Sequence, residues 1–300
     1  AFLPQGFHLS VSWQAAWQKR VMDVNNQLFG MNADGKGTSR EFVGETNAPV
    51  IPSVQAAYVI NDKWSVSAQF AVGGGGGKCE FAEGLPMFEE LIGGIVAKNQ
   101  GTSYALNQNL TGEQYFYAFQ LGATYKLTDN FSVFGGARGV LANCNYTGAI
   151  SNVTANGVAA GTYLTGLSQQ AAAGAQQAAA AAAQYAAAGM TAEAAKYQAM
   201  AEQYQAAAVS AGQGAALFGS DLSLDCAQSG FGITPIIGLD WNLGKLNLAA
   251  KYEFRTKIEL ENDSKNTSKG VTTLMPAYAD GAKNRSDIPA LLTLGAQYEI

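Results

Sequence analysis

Residues 115–142 decide the fold, and they read YFYAFQLGATYKLTDNFSVFGGARGVLA. Large apolar side chains alternate with small or polar ones on both sides of the polar turn at residues 128–130. Because successive side chains of a strand point to opposite faces, a period of two indicates strands. The stretch is therefore predicted to be two strands joined by a tight turn.

The same alternation recurs along the whole chain, in eight segments. They are residues 7–14, 54–60, 64–72, 115–127, 131–142, 231–243, 246–254 and 288–300. Three of the connections are tight turns of two or three residues, while the others are long, covering residues 15–47, 73–112, 145–226 and 260–286. Short turns at one end and long loops at the other are typical of outer-membrane barrels. We predict an all-β chain that forms a transmembrane antiparallel β-barrel.

The distribution of side chains supports a membrane setting. Charged residues make up 14% of the 300 residues, whereas a soluble domain carries roughly 25%. Aromatic residues flank the tight turns, as in the pairs Tyr58/Trp64 and Tyr125/Phe131, where an aromatic girdle at the membrane interface is expected. A soluble β-sandwich with aromatic strand ends in its core is the alternative. It explains neither the low charge nor the unequal loop lengths.

Composition also excludes several classes of function. The net charge of −5 lacks the basic footprint of a nucleic-acid-binding protein, and the chain has no apolar run of about 18 residues for a spanning helix. His8 is the sole histidine, so a multi-histidine metal site is impossible and a histidine-based catalytic triad would depend on it. The cysteines show no CxxC spacing. We expect no enzyme activity, no metal and no cofactor.

Two of the long connections are predicted to contain helices. Residues 162–212 form an alanine- and glutamine-rich tract, and alanine is the strongest helix former, so a helical hairpin inserted as an extracellular loop is expected. The other helix begins near Pro86 and places Phe88, Leu91, Ile92 and Ile95 on one face. This apolar face could contact a hydrophobic ligand or pack onto the mouth of the barrel.

The five glycines at residues 73–77 end the third predicted strand. They do not match a phosphate-binding loop, because Val72 and Cys79 stand where such a motif needs glycine and serine or threonine. Consecutive glycines at a strand end more often produce a bulge or a close approach of backbones. In a barrel wall they could leave a gap between strands.

Two of the cysteines flank the longest loop. Cys144 lies near the end of the fifth predicted strand and Cys226 near the start of the sixth. These strands should be antiparallel neighbours in an oxidising compartment. A disulfide between Cys144 and Cys226 is therefore predicted, with Cys79 left unpaired.

The order of these features resembles the FadL-type outer-membrane transporters of long-chain fatty acids and hydrocarbons, in particular a Bacteroidetes-like branch. The resembling stretches are residues 1–10, 48–53, 72–78 with 84–86, and 120–125, of which GGGGGK with GLP is the most specific. The resemblance implies a barrel of about fourteen strands with an N-terminal hatch, so residues 1–300 would be one incomplete barrel domain. A complete eight-stranded barrel is the alternative.

The resemblance further implies passive, porin-like uptake of hydrophobic compounds across a bacterial outer membrane by a monomer embedded in lipid. Ligand would leave through a lateral opening at Gly73, Gly74, Gly75, Gly76 and Gly77. The expected ligand-binding residues are Phe70, Phe81, Met87, Phe88, Leu91, Ile92, Ile95 and Arg138. Arg138 would contact a carboxylate head group or pair with an acid such as Asp240. A structural or adhesive surface protein, binding partners through the alanine-rich hairpin, is the competing function.

Overall fold

The computed structural model describes residues 4–299, and its centre is one antiparallel sheet. Eight strands follow one another in chain order across this sheet. They are β1 (Gly6–Asn25), β2 (Ser39–Val59), β3 (Trp64–Phe81), β4 (Tyr104–Lys126), β5 (Phe131–Ala155), β7 (Leu222–Leu243), β8 (Leu246–Glu253) and β11 (Leu291–Tyr298). Three short strands pair beside this path, namely β6 (Val158–Ala159), β9 (Glu259–Asp263) and β10 (Lys283–Arg285). The chain is therefore mainly β, with a curled antiparallel sheet of the outer-membrane type.

The helices lie in the long connections. They are α1 (Pro86–Lys98), α2 (Ala160–Ala187), α3 (Thr191–Leu217) and α4 (Lys269–Leu274), with short 3-10 turns at Gln27–Met31 and Pro276–Tyr278. In the described part of the chain, no helix is both long enough and apolar enough to cross a membrane.

Several strands are much longer than the alternation predicts. Strand β4 begins at Tyr104 where the sequence predicts residue 115, and β5 continues to Ala155 where it predicts residue 142. The added parts carry polar side chains on both faces, such as the consecutive residues Glu113 and Gln114 of β4. An alternation of apolar and polar residues cannot reveal a strand whose two faces are both polar.

Side chains close the tight turns. The Asn61 carboxamide oxygen accepts hydrogen bonds from the backbone N–H groups of Lys63 and Trp64, both at 2.9 Å. The Thr128 hydroxyl accepts from the N–H of Phe131 at 3.1 Å. Asparagine and threonine stabilise turns in this way because their short side chains reach the backbone two or three residues further on. Each turn thereby aligns the two strands that it joins.

The glycine run keeps its pairing on one side. Gly74, Gly75 and Gly77 pair with β4 across two bulges, and a β-carbon on Gly75 would lie 2.2 Å from the carbonyl oxygen of Gln114. Towards β2 the pairing stops between residues 71 and 78, opposite residues 48–52. This part of β2 contains Pro49 and Pro52, which have no N–H to donate. A lateral opening at this place stays a prediction.

Helix α1 packs against the concave face of the sheet, at the end away from the tight turns. Ile92 and Val96 of α1 are fully buried there with Ile150 of β5 and Leu222 of β7. Lower down, residues 256–260 lie against Gly230 and Gly232 of β7, where a β-carbon would come within 2.7 Å of Ile258 and of backbone oxygens. Glycine permits this approach because it has no side chain.

The predicted disulfide is wrong, since the described cysteines are all free. Strands β5 and β7 are neighbours as expected, but Cys144 pairs with Gln228, and Cys226 pairs with Tyr146. The two cysteines are diagonal neighbours, whose α-carbons lie roughly 7–8 Å apart. A disulfide needs α-carbons closer than about 7 Å, so a register offset of two residues separates the sulfurs.

Candidate functional site

The outer face of the sheet exposes a continuous apolar band. One row of cross-strand partners runs from Val11 through Val54, Phe70 and Phe119 to Gly139 and Ile233. The large apolar side chains exposed on this face are Phe7, Leu9, Val11, Trp13, Tyr58, Trp64, Val66, Phe119, Leu121, Phe231, Ile233, Ile237, Leu239, Trp241, Leu292, Leu294 and Tyr298. An apolar patch of this extent is not stable in water. The band is the lipid-contacting surface of an outer-membrane sheet, and Phe70 therefore faces lipid.

Aromatic residues mark the two borders of the band. At the tight-turn end the rings of Trp64 and Tyr125 lie 4.7 Å apart. Tyr115 and Tyr117 stack at 5.8 Å near the other border. Ten residues of strand separate Tyr115 from Tyr125, or roughly 33 Å along the strand. At the usual barrel tilt this corresponds to a band about 25 Å high, so the protein is located in a bacterial outer membrane.

The inner face at membrane level is polar, and its arginine is already paired. The Arg138 guanidinium donates to both carboxylate oxygens of Glu253, at 2.6 and 2.9 Å, and to the Gln120 amide oxygen at 2.8 Å. Lys251 also contacts Glu253, at 2.7 Å. The expectation of Asp240 as a partner is wrong, because Asp240 accepts from Asn247 instead. The carboxylate that Arg138 binds is thus the side chain of Glu253, within the protein.

Above the band, the long connections form a compact unit that we call the cap, comprising residues 26–38, 82–103, 156–221 and 264–282. A buried ion-pair network holds α1 in it. Arg40 contacts Glu89 at 3.0 Å and Asp34 at 2.6 Å, and Tyr104 and Gln108 donate to Glu89 at 3.2 Å each. Sequence analysis missed this network, since Arg40 and Glu89 are 49 residues apart and only the fold brings them together.

The predicted ligand-binding residues of α1 are divided between core and cavity. Ile92 is 0% exposed and belongs to the cap core. The face of α1 that contains Ile92 therefore packs onto the sheet. Met87, Phe88 and Leu91 line an adjoining apolar cavity of about 430 Å³. Ile95 lines a different cleft, further along α1 towards its C-terminal end.

Phe81, the remaining predicted ligand-binding residue, does not lie in this cavity. Its ring packs over Gly44 of β2, where a β-carbon would clash with it. The structure therefore brings together three of the eight predicted residues, all from α1. They are close neighbours on one helix, whereas Ile92 and Ile95 of the same helix face the core and a second cleft.

The alanine-rich segment forms two helices of 28 and 27 residues, α2 and α3, which we call the hairpin. Beyond its base, the buried positions of the hairpin are all alanine: Ala175, Ala178 and Ala182 on α2, and Ala201, Ala208 and Ala211 on α3. Alanine at contact positions lets two helices approach closely. At a rise of 1.5 Å per residue, the hairpin is about 40 Å long.

Aromatic and polar contacts support the hairpin along its length. The rings of Tyr185 and Tyr197 stack at 5.1 Å near the connection between the helices, and the Ser168 hydroxyl donates to the carbonyl of Ala208 at 2.8 Å. Gly189 has a φ of 74° in this connection, a conformation that favours glycine. The two helices are therefore joined at both ends of their contact.

The base of the hairpin is anchored in the cap. Leu164 is 1% exposed, and a β-carbon on Gly214 would touch it at 3.0 Å. The Tyr163 hydroxyl donates to the carbonyl of Asn99, at the end of α1. Leu217 and Phe218 pack against the cap core. The base of the hairpin is thus packed on the cap core and bonded to the end of α1.

A surface cluster of charged residues links β9 and β10, next to the cap. Lys283 lies 3.0 Å from Glu259 and 3.9 Å from Glu261. The hydrogen bond to Glu259 and the charges of both glutamates raise the pKa of Lys283 above its ordinary value near 10.5. Because the lysine is exposed, this pair contributes little to stability.

Comparisons with known proteins yield few matches. No protein-family model and no curated protein matches the chain. Among solved structures, Ail, the attachment invasion locus protein of Yersinia pestis, is similar at 13% identity and a TM-score of 0.22, covering 98% of this chain and 99% of that one. The same protein in complex with the heparin analogue sucrose octasulfate is 12% identical, with a TM-score of 0.25 and the same coverage. At these values the likeness carries no function over to this chain.

These findings correct the family resemblance. The two solved structures named above are of an attachment protein and not of a FadL-type transporter. The main path of the described sheet has eight strands where the resemblance implies fourteen. The resemblance rests on strand pattern, and alternating strands are common to unrelated outer-membrane proteins. It is therefore contradicted, and fatty-acid transport is not supported.

Proposed function

We propose that this chain is an outer-membrane protein that binds a partner outside the membrane through its hairpin, as a structural or adhesive surface protein does. The carrying observation is the hairpin itself, about 40 Å of paired helix on a buried base. Neither sheet nor cap core needs a structure of that length for its own packing. The role is one of binding rather than catalysis, and the protein acts as a monomer.

The surface of the hairpin suits contact with another macromolecule. Helix α2 has no charged residue, and α3 has three, Glu193, Lys196 and Glu202. Glutamines and alanines make up much of the exposed remainder. Alanine loses almost no side-chain entropy when a partner covers it, and the glutamine amides can donate and accept hydrogen bonds with that partner.

Replacing residues 170–206 by a short glycine–serine turn tests this function. The variant keeps the anchoring contacts of Leu164 and Gly214, so the sheet should still fold. We expect bacteria that display it to lose adhesion to immobilised matrix glycoproteins and to host-cell layers. Adhesion is normalised to the folded protein, measured as the heat-modifiable band on a gel. Full adhesion by the shortened variant contradicts the proposal.

A second candidate function is binding of a small hydrophobic molecule in the apolar cavity beside α1, without transport. The cavity observation favours it, because Met87, Phe88 and Leu91 line the space together with Leu274 and Met275. Phe88→Asp should then abolish retention of a fluorescent apolar probe by the folded protein. Equal probe retention in the variant and the parent protein contradicts this candidate.

A further inference from the structure

A second cleft, of about 740 Å³, lies at the base of the hairpin between α1, α3 and α4. We call it the basal cleft. Its lining includes Ile95 and Lys98 of α1, Ser210 and Gln213 of α3, and Lys269 and Leu274 of α4. Since three separate elements build it, its shape depends on the folded cap.

Charge distinguishes the basal cleft from the rest of the protein. The chain as a whole carries −5, yet the cleft is lined by Lys98 and Lys269, with no aspartate or glutamate among its lining residues. Neither lysine has an ion pair in the described part of the chain, whereas Lys36, Lys78, Lys265 and Lys283 each have at least one. Two unpaired ammonium groups facing one space attract an anionic group.

The remaining lining combines free polar groups with apolar walls. Ser210 and Gln213 have no side-chain hydrogen bond in the part of the chain that the structure describes, so both can bind a ligand. Ile95, Leu217 and Leu274 supply the apolar surface. A molecule with hydroxyl groups, C–H faces and a negative charge matches all three features. A purely apolar chain would leave the amide and the hydroxyl unpaired.

We propose that the basal cleft binds an acidic saccharide, with its carboxylate or sulfate group between Lys98 and Lys269 and its hydroxyls at Ser210 and Gln213. A cavity of this volume is within the usual range for ligand sites. The inference rests on the proposed function, since it names the chemistry of the partner that the hairpin and its base would contact.

The test measures binding to the folded full chain in neutral phospholipid nanodiscs by calorimetry. The probes are a glucuronate-containing disaccharide, a sulfated disaccharide and a neutral disaccharide of the same size. We expect both acidic probes to bind at least tenfold more tightly than the neutral one, and more weakly as salt rises. The stronger of the two acidic probes identifies carboxylate or sulfate as the source of charge. Equal affinity for neutral and acidic probes overturns the inference.

Substitutions then locate the site. Lys98→Gln and Lys269→Gln should each weaken acidic-probe binding about three- to tenfold, and the double variant more. The matched control is Lys196→Gln, which removes an unpaired lysine on α3 outside the cleft and should change nothing. Unchanged affinity in the double variant overturns the inference.

The two proposals fail in different ways. If the shortened hairpin loses adhesion while Lys98→Gln/Lys269→Gln keeps its affinity for acidic probes, only the cleft inference is wrong. If the shortened hairpin keeps full adhesion while the lysine variant loses the acidic probes, the proposed function is wrong and the cleft still binds saccharide.

Discussion

The membrane-level sheet and the cap expose opposite kinds of side chain. On the sheet, Leu121 is 68% exposed and belongs to a continuous band of large apolar residues. In the hairpin, glutamine and alanine dominate the surface, and comparably exposed apolar residues such as Val209 occur singly. The difference shows that lipid contacts the first region and water the second. A buried side chain packs against protein in both regions. An exposed side chain contacts lipid on the sheet but water on the hairpin.

The largest effect is expected in the cap core. Ile92→Ala should lower the free energy of unfolding by about 2–5 kcal/mol, because it removes a fully buried side chain and leaves a cavity. The measurement is urea unfolding from lipid vesicles. Met87→Ala on the same helix is the matched control, since Met87 is 53% exposed. Equal costs for the two variants would mean that α1 is not docked on the sheet.

A charge on the apolar band is expected to cost nearly as much. Leu121→Arg should destabilise the inserted protein by about 2–4 kcal/mol, as for charges at the midplane of barrel strands. Val209→Arg, on the hairpin, should stay within about 0.5 kcal/mol because water solvates the new charge. Unfolding from vesicles measures both. An unchanged free energy of unfolding for Leu121→Arg would mean that residue 121 does not contact lipid.

Within the hairpin, size at the contact positions should matter. Ala178→Leu forces a larger side chain between α2 and α3 and should cost about 1–3 kcal/mol of hairpin stability. Circular dichroism of the helical signal during thermal unfolding measures this loss. The control is Ala180→Leu, at an exposed position two residues further along. If the two leucines have the same effect, the helices are not packed through their alanines.

The smallest effect is expected at Lys283. Its raised pKa means that the ion pair with Glu259 stabilises the fold fully below pH 10.5 and is lost as the pH rises through the raised value. Lys283→Met should therefore change the melting temperature barely measurably at neutral pH, and not at all above that range. A large loss at pH 7 would show that the surface pair is coupled to the cap core.

Much of the membrane-level fold is predictable from local pattern. The eight alternating segments correspond to the eight strands of the main path, and the turns at residues 61–63 and 128–130 join them as expected. Such features depend on neighbours in sequence, and a strand in lipid must expose apolar residues at every second position. Alanine content likewise indicated helix at residues 162–212, and α2 and α3 cover residues 160–187 and 191–217.

The candidate sites were less predictable, because they depend on pairs of residues far apart. The register between strands decides which side chains are in contact. It determines whether Cys144 contacts Cys226, and whether Arg138 contacts Asp240 or Glu253. An offset of two residues separates the cysteines, and the register pairs Asp240 with Ser132 and Arg138 with Thr234. The sequence pattern is the same in either case.

The amino-acid sequence by itself determined the strands, the tight turns and the helices of the long connections. Each of these depends on local periodicity and on the propensities of neighbouring residues. Tertiary structure alone decided that Ile92 is buried, that Arg40 and Glu89 form an ion pair, and that Lys98 and Lys269 line one cleft. These residues are brought together by loop packing onto the sheet, and packing depends on the combined shape of distant segments.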